Sequence, residues 1–359
     1  MKLIPVITAL LGCVALSANA ADKAPFIVNG SNASVSGVGG FPSYAAIYTF
    51  ADFDSGVYSY GQRCGSTIID EWHVLTAAHC VSNQDVAEAA KEFTVIVPKL
   101  EDETNFNEVA EFNAANAKFW VEKIYVHSGY NKSSLINDIA ILKLESAMTL
   151  VAGDKINLPV SEASYNTITS AAFKAVGLGY TSPGTSGSTH LLQTDLKIYP
   201  NQSNCGYGAN PSTQLCMYSD NIVGNLENAI CSGDSGGPLY WNDGATQRQI
   251  GISSYGPAVG CGNATVNAAT SVFTEVNDYK TWINNIVSNT INDAVVYTTS
   301  NVKRDAYRAD KSSFDSNIAA FKAANNVTPS SGGSSAGGGS VPLWSSLLLL
   351  SAALLRRRK

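Results

Sequence analysis

The sequence predicts an all-β body, and three observations carry that prediction. Glycine is abundant, with 30 residues in 359, and the β-branched runs are short, the pattern of many brief strands joined by tight turns. The chain is 45% hydrophobic and 14% charged, which is enough apolar material for two packed units with a leader and a tail around them. Of its 7 cysteines, Cys13 lies in the leader, and the other six suit disulfides in an oxidising compartment.

The first element is that leader. Met1-Lys2, the apolar run Leu3 to Leu11 and the small-residue end Ala18-Asn19-Ala20 form a secretory signal over residues 1–20, cleaved after Ala20. The alternative is an N-terminal membrane anchor, for which the apolar run is short. Residues 21–26 then make a prosegment that ends at Phe26.

Three later segments carry chemistry. Leu75-Thr76-Ala77-Ala78-His79-Cys80 offers a base, and Asn137-Asp138-Ile139-Ala140-Ile141-Leu142 offers a carboxylate that opens an apolar strand. Cys231-Ser232-Gly233-Asp234-Ser235-Gly236-Gly237-Pro238 sets a serine on a glycine-rich turn. A serine hydroxyl is a poor nucleophile at neutral pH, so it needs a base to take its proton and a buried carboxylate to orient that base.

In their order along the chain, His then Asp then Ser, these motifs resemble the trypsin/chymotrypsin (S1-type) family of serine peptidases. The resemblance covers about Ile27 to Ser288 and implies two six-stranded antiparallel β-barrels of chymotrypsin type with a C-terminal helix. The barrels would take residues 27–147 and 149–288, the helix running through Tyr279, Trp282, Ile283 and Ile286. It further implies a catalytic triad of His79, Asp138 and Ser235, with Ser254 as a second donor to Asp138. The oxyanion hole would be the N–H groups of Gly233 and Ser235. His73, His127 and His190 are left as surface or barrel residues.

Six cysteines allow fifteen pairings, and spacing does not choose among them. The resemblance implies Cys64 with Cys80, Cys205 with Cys216, and Cys231 with Cys261. It also implies a zymogen. Ile27-Val28-Asn29-Gly30 would become a new amino terminus after a cut behind Phe26, and Ile27 would pair with Asp234. A cut after phenylalanine departs from the many family zymogens that are cut after a basic residue.

The same resemblance places the substrate pocket at Ala229, Ile230, Ser254, Tyr255, Gly256 and Ser271. Trypsin-like enzymes carry an aspartate where this chain has Ala229. An uncharged, partly filled slot accepts uncharged side chains and disfavours lysine or arginine, whose burial without a partner is costly. Glu227 and Asn228 lie nearby without an assigned place. The acidic stretch Glu101 to Glu111 reads as a surface loop. The reading assigns no metal and no cofactor.

Residues 289–329 read as a spacer or a helical extension that docks on the second barrel. The chain then closes with a Gly/Ser linker from Ser330, an apolar run from Val341 to Leu355 and the cations Arg356, Arg357, Arg358 and Lys359. This ending resembles the Gly-Gly sorting signal of exported Gram-negative bacterial proteins, which a rhomboid-type sortase removes before surface attachment or release through type II secretion. A plain C-terminal membrane anchor is the alternative. Losing Lys2 and the four terminal cations would take the net charge from −6 to −11, which argues against nucleic acid as a partner.

The sequence therefore predicts a secreted or cell-surface serine endopeptidase, exported by a Gram-negative bacterium, that cuts protein or peptide substrates after apolar residues. Its activator would be the enzyme itself or a relative of similar taste. The alternative is a catalytically silent surface-binding protein on the same scaffold.

Overall fold

The computed structural model describes residues 27–55, 58–103, 118–170, 173–179, 188–205, 209–256, 260–263 and 269–325. The expected signal, prosegment and sorting tail, with most of the acidic stretch Glu101 to Glu111, lie outside the described residues. Among the described residues no helix is long and apolar enough to cross a membrane.

The first barrel is built from β2 (Tyr44–Asp52), β3 (Tyr58–Ile68), β4 (His73–Thr76), β5 (Thr94–Pro98), β6 (Phe119–His127) and β7 (Ala140–Leu144), after a short β1 (Ser31–Asn32). These six strands run in the order β6-β5-β2-β3-β4-β7, and pairing of β6 with β7 closes the ring. The second barrel uses β8 (Phe173–Gly177), β9 (Leu192–Ile198), β10 (Gln214–Tyr218), β13 (Pro238–Asn242), β14 (Gln247–Tyr255) and β15 (Ser271–Glu275). It closes through β8 with β9, and β1 joins its outer edge on β9. A small hairpin of β11 (Ile222–Val223) and β12 (Leu226–Glu227) stands beside it. The expected pair of six-stranded antiparallel barrels is the fold.

Some strands read as continuous apolar runs because both of their faces are buried. Along β2, Ala45 and Ile47 enter the core of barrel one, whereas Tyr44, Ala46, Tyr48 and Phe50 enter a second layer that includes Val176, Leu178, Leu191 and Tyr240 of barrel two. Strand side chains alternate with a period of two, so one strand can serve two cores. In β13, Leu239 and Trp241 likewise join the barrel-two core while Tyr240 joins the shared layer. That layer fixes the barrels face to face, with the reactive segments at their junction.

After β15 the chain turns through a 3₁₀ segment into α2 (Lys280–Val287), α1 being the short Glu88–Glu92 helix of barrel one. Tyr279, Trp282, Ile283 and Ile286 follow helical spacing, and all four join the core of barrel one. The helix stops in a Schellman arrangement. Asn289 takes the left-handed conformation (φ 61°), and its N–H reaches Ile286 O at 3.0 Å while Thr290 N reaches Asn285 O at 2.8 Å.

The segment beyond is neither a plain spacer nor a partner of barrel two. Its strand β16 (Ala294–Thr298) pairs antiparallel with β6 of barrel one over five residues. Helices α3 (Asn301–Ala309) and α4 (Lys311–Asn325) follow. Asp310 Oδ1 caps α4 by accepting from Ser312 N at 3.0 Å and Ser313 N at 3.3 Å. Phe314 packs edge-on against Phe53 and Phe93 of barrel one, with ring centroids 5.2 and 5.7 Å away. The correction has a physical cause. Among the described residues β5 pairs only with Phe119 and Trp120 of β6, which leaves Lys123 to His127 an open strand edge for β16. Barrel one also offers an aromatic face, and both needed covering.

Candidate active site

His79 follows the buried strand β4 on a one-turn 3₁₀ segment, Ala78–Cys80. The Cys64–Cys80 disulfide ties that turn to β3 across a Cα separation of 6.2 Å. Asp138 stands two residues ahead of β7 and is fully buried. Its carboxylate receives three donors: His79 N at 2.8 Å, His79 Nδ1 at 2.7 Å and Ser254 Oγ at 2.5 Å. A buried carboxylate needs such bonds to offset lost hydration. The donor Ser254 is available because β14 carries a bulge between Ser253 and Tyr255, a device that re-aims side chains next to sites.

The bond from Nδ1–H to Asp138 leaves Nε2 of a neutral His79 as the acceptor, the form a general base requires. Burial pushes the His79 pKa down. The charge of Asp138, its hydrogen bond and the charge of Asp85 outweigh that effect, so the pKa lies above the ordinary imidazole value.

Ser235 sits on a turn that its neighbours could form only as glycines. Gly233 has φ 100°, and a Cβ there would meet Gly179 Cα at 2.7 Å. Gly236 has φ 75°, and a Cβ there would strike Gly65 O and Thr76 Oγ1 and lie 3.2 Å from Cys80 Sγ. Since His79 Nε2 is 3.8 Å from that same sulfur, the histidine and the serine turn flank one disulfide. The Ser235 carbonyl accepts from Gly65 N at 2.8 Å. Among the described residues Ser235 Oγ makes no hydrogen bond, and in unliganded sites such bonds often tighten only with substrate bound.

Asp234 is buried at the back of this turn. Gly179 N donates to its Oδ1 at 2.9 Å and Cys231 N to its Oδ2 at 2.8 Å. Among the described residues no cation pairs with it, and burial pushes its pKa up to about 7. A Cβ at Gly177 or Gly179 would collide with the carboxylate, so the Gly-Leu-Gly run is the slot that admits it. Sequence reasoning passed over that run, although two glycines around one apolar residue were the available signal. Ile27 and Val28 are fully buried, and Val28 N donates to Ala229 O at 3.1 Å in an antiparallel bridge.

The segments expected to line the pocket also converge. Ala229 is fully buried beneath Val28 and Leu226. Ser271 is buried too, its hydroxyl accepting from Ile230 N at 3.1 Å. Gly256 lies close to the opposite wall, where a Cβ would meet Thr270 O at 3.2 Å, and Tyr255 stands half-buried before it. Ile230 is buried among the residues of the barrel-two core. Glu227 lies on β12 with Oε2 buried and, among the described residues, without a hydrogen-bond partner; burial raises its pKa against a backbone hydrogen bond from Ser219.

The Cys205–Cys216 and Cys231–Cys261 disulfides are present beside the first. They are the pairs the resemblance implied. Among the described residues, potential metal-ligand atoms cluster at Cys64, His79 and Cys80, but both sulfurs are committed to a disulfide and offer no thiolate. His73 is a buried barrel residue that bonds Asp70, His127 lies half-buried against Tyr279 and Trp282, and His190 faces Asp102 at the surface.

Comparison with known proteins agrees with this geometry. A family model described as trypsin matches residues 32–283. The chain is similar to trypsin epsilon of Drosophila erecta, 31% identical over 229 residues that cover 61% of this chain and 76% of that one. Chymotrypsin-C of Rattus norvegicus is also 31% identical over 229 residues, which cover 62% and 76% of the two chains. Trypsin CFT-1 of Choristoneura fumiferana is 28% identical over 270 residues, or 73% of this chain and 93% of that one. Because the family match runs from β1 into the closing helix, over the same two barrels that gather His79, Asp138 and the Ser235 turn, the chain belongs to the trypsin family.

Proposed function

We propose that this trypsin-family peptidase is an exported serine endopeptidase that cuts after uncharged, apolar residues and is switched on by cleavage behind Phe26. The observation that carries the reading is the fully buried Asp138 carboxylate, held by His79 and Ser254 beside the Ser235 turn. In the reaction, His79 Nε2 takes the proton of Ser235 Oγ as that oxygen attacks the scissile carbonyl. The tetrahedral oxyanion is received by the N–H groups of Gly233 and Ser235. His79 then returns the proton to the leaving amine, and water repeats the sequence on the acyl-enzyme.

Activation rests on Asp234. In the continuous chain Ile27 contributes an amide, and burial pushes the pKa of the carboxylate up to about 7 against the backbone hydrogen bonds from Cys231 and Gly179. Cleavage behind Phe26 would create an ammonium at Ile27, in a segment that already lies buried against Ala229. The charge pair would then hold the turn that presents Ser235. Specificity rests on Ala229, which brings no charge to the pocket base, while Ser271 spends its hydroxyl on Ile230 N. The terminal signals support export and removal of the tail by a rhomboid-type sortase ahead of type II secretion, leaving the enzyme secreted or attached to the cell surface. Both termini lie outside the described residues.

The test is digestion of a peptide library by protein whose amino terminus has been sequenced as Ile27, beside Ser235→Ala and the uncut chain. Cleavage after uncharged residues, absent from both controls, is the expected result. Cleavage after Lys or Arg would refute the pocket reading, and full activity of the uncut chain would refute the activation reading.

A further inference from the structure

The stretch from Ala78 to Phe93 presents His79 and ends in α1, and the C-terminal extension grips it from outside. Glu92, the last residue of α1, is fully buried. Among the described residues, its carboxylate is met by Tyr297 OH, by Ser300 N at 2.7 Å and by Lys303 Nζ at 3.7 Å, all from the extension. The buried Arg304 donates to Glu92 O at 3.2 Å and pairs with Glu145. At the other end of α1, Ala89 N donates to Asn317 Oδ1 at 3.0 Å. Asn325 Oδ1 accepts from Lys132 Nζ at 3.0 Å, and that ammonium lies 3.4 Å from Asp85 in the turn after His79.

From these contacts we infer that residues 294–325 are a positioning clamp for the His79 segment, with Glu92 as the point it holds. The inference rests on the peptidase reading above. Barrel two supplies Ser235 and the pocket walls, and barrel one supplies His79 and Asp138. The extension leaves barrel two through α2 and fastens onto barrel one at α1. It therefore sets where the base stands relative to the nucleophile. Among the described residues the pocket segments around Ala229, Ser254 and Ser271 lie outside its hydrogen bonds and ion pairs, which beyond the extension itself all reach barrel one. A loosened clamp displaces the base and spares the pocket. Small displacements of a catalytic group cost much in turnover.

The test uses the full chain cut to Ile27, as wild type, Tyr297→Phe, Glu92→Gln and the double variant, with Val302→Ser on the exposed face of α3 as control. Turnover of a short ester substrate is measured together with hydrogen exchange of the amides from His79 to Glu92. The clamp predicts that kcat falls about tenfold in each single variant, with KM nearly unchanged and exchange faster in that stretch. The double variant should be little worse than Glu92→Gln, because both changes break one interaction. Tyr297→Phe removes a single oxygen and carries the test if Glu92→Gln does not fold.

Unchanged kcat with faster exchange would make the extension a structural cover and overturn the inference. So would a fall in kcat that only matches a loss of titratable active sites. An inactive wild type would instead remove the peptidase reading on which the clamp depends; an active wild type matched by its variants removes the clamp alone.

Discussion

In the proposed mechanism Asp138 and His79 divide the work of making a base at neutral pH. Burial alone would leave the imidazole too acidic, and the Asp138 charge reverses that, with Asp85 adding to it from the next turn. The sign matters for both stability and rate. A histidine with a raised folded pKa stabilises the fold most below its unfolded value, and that contribution fades as pH rises through the folded value. Activity runs the other way, since the base must be neutral. Asp85→Asn should therefore move the acid limb of the kcat/KM profile to lower pH while leaving the plateau nearly intact, as measured with a neutral ester substrate at low salt. An unmoved limb would remove Asp85 from the account. The proposed triad was legible in the sequence because each of its residues sits in a distinctive local string. Asp85 was not, because its place depends on the turn in which Val86 N bonds Ser82 O, with Tyr130 OH reaching over to its carboxylate at 2.8 Å.

Among the elements, the barrel strands were legible as a class, but their partners were not. Tyr44 to Phe50 gives a nearly unbroken apolar run, and only the assembled barrels show that alternate residues feed separate cores. The bulge that turns Ser254 towards Asp138 leaves no mark in composition, although Ser254 itself could be named from the motif around it. The extension was the least legible part. Ala294 to Thr298 has strand character, yet nothing in it names β6 as the partner, and α3 and α4 are too polar for their faces to declare a target. Phe314 carries the docking, being 3% exposed among Phe53, Phe93 and Tyr307. Phe314→Ala should destabilise the protein by about 3–5 kcal/mol, read from the midpoint of denaturant unfolding. A loss below about 1 kcal/mol would mean that the extension lies loosely on barrel one.

At the scale of the whole molecule, two closed barrels share a buried layer, and the extension fastens the second back onto the first. The reactive groups come from both, so nucleophile and base meet only when the barrels are assembled. A local string could name each member of the triad. Their meeting around the Cys64–Cys80 disulfide required the fold. The central claim is that this meeting makes Ser235 the one activated serine of the chain. Its most direct measurement is the reaction of the Ile27-terminated protein with a fluorophosphonate, followed by peptide mapping of the adduct. The account predicts a single stoichiometric adduct on Ser235, abolished by His79→Ala. A correctly trimmed, folded protein that takes up no label, or takes it up at another serine, would contradict it.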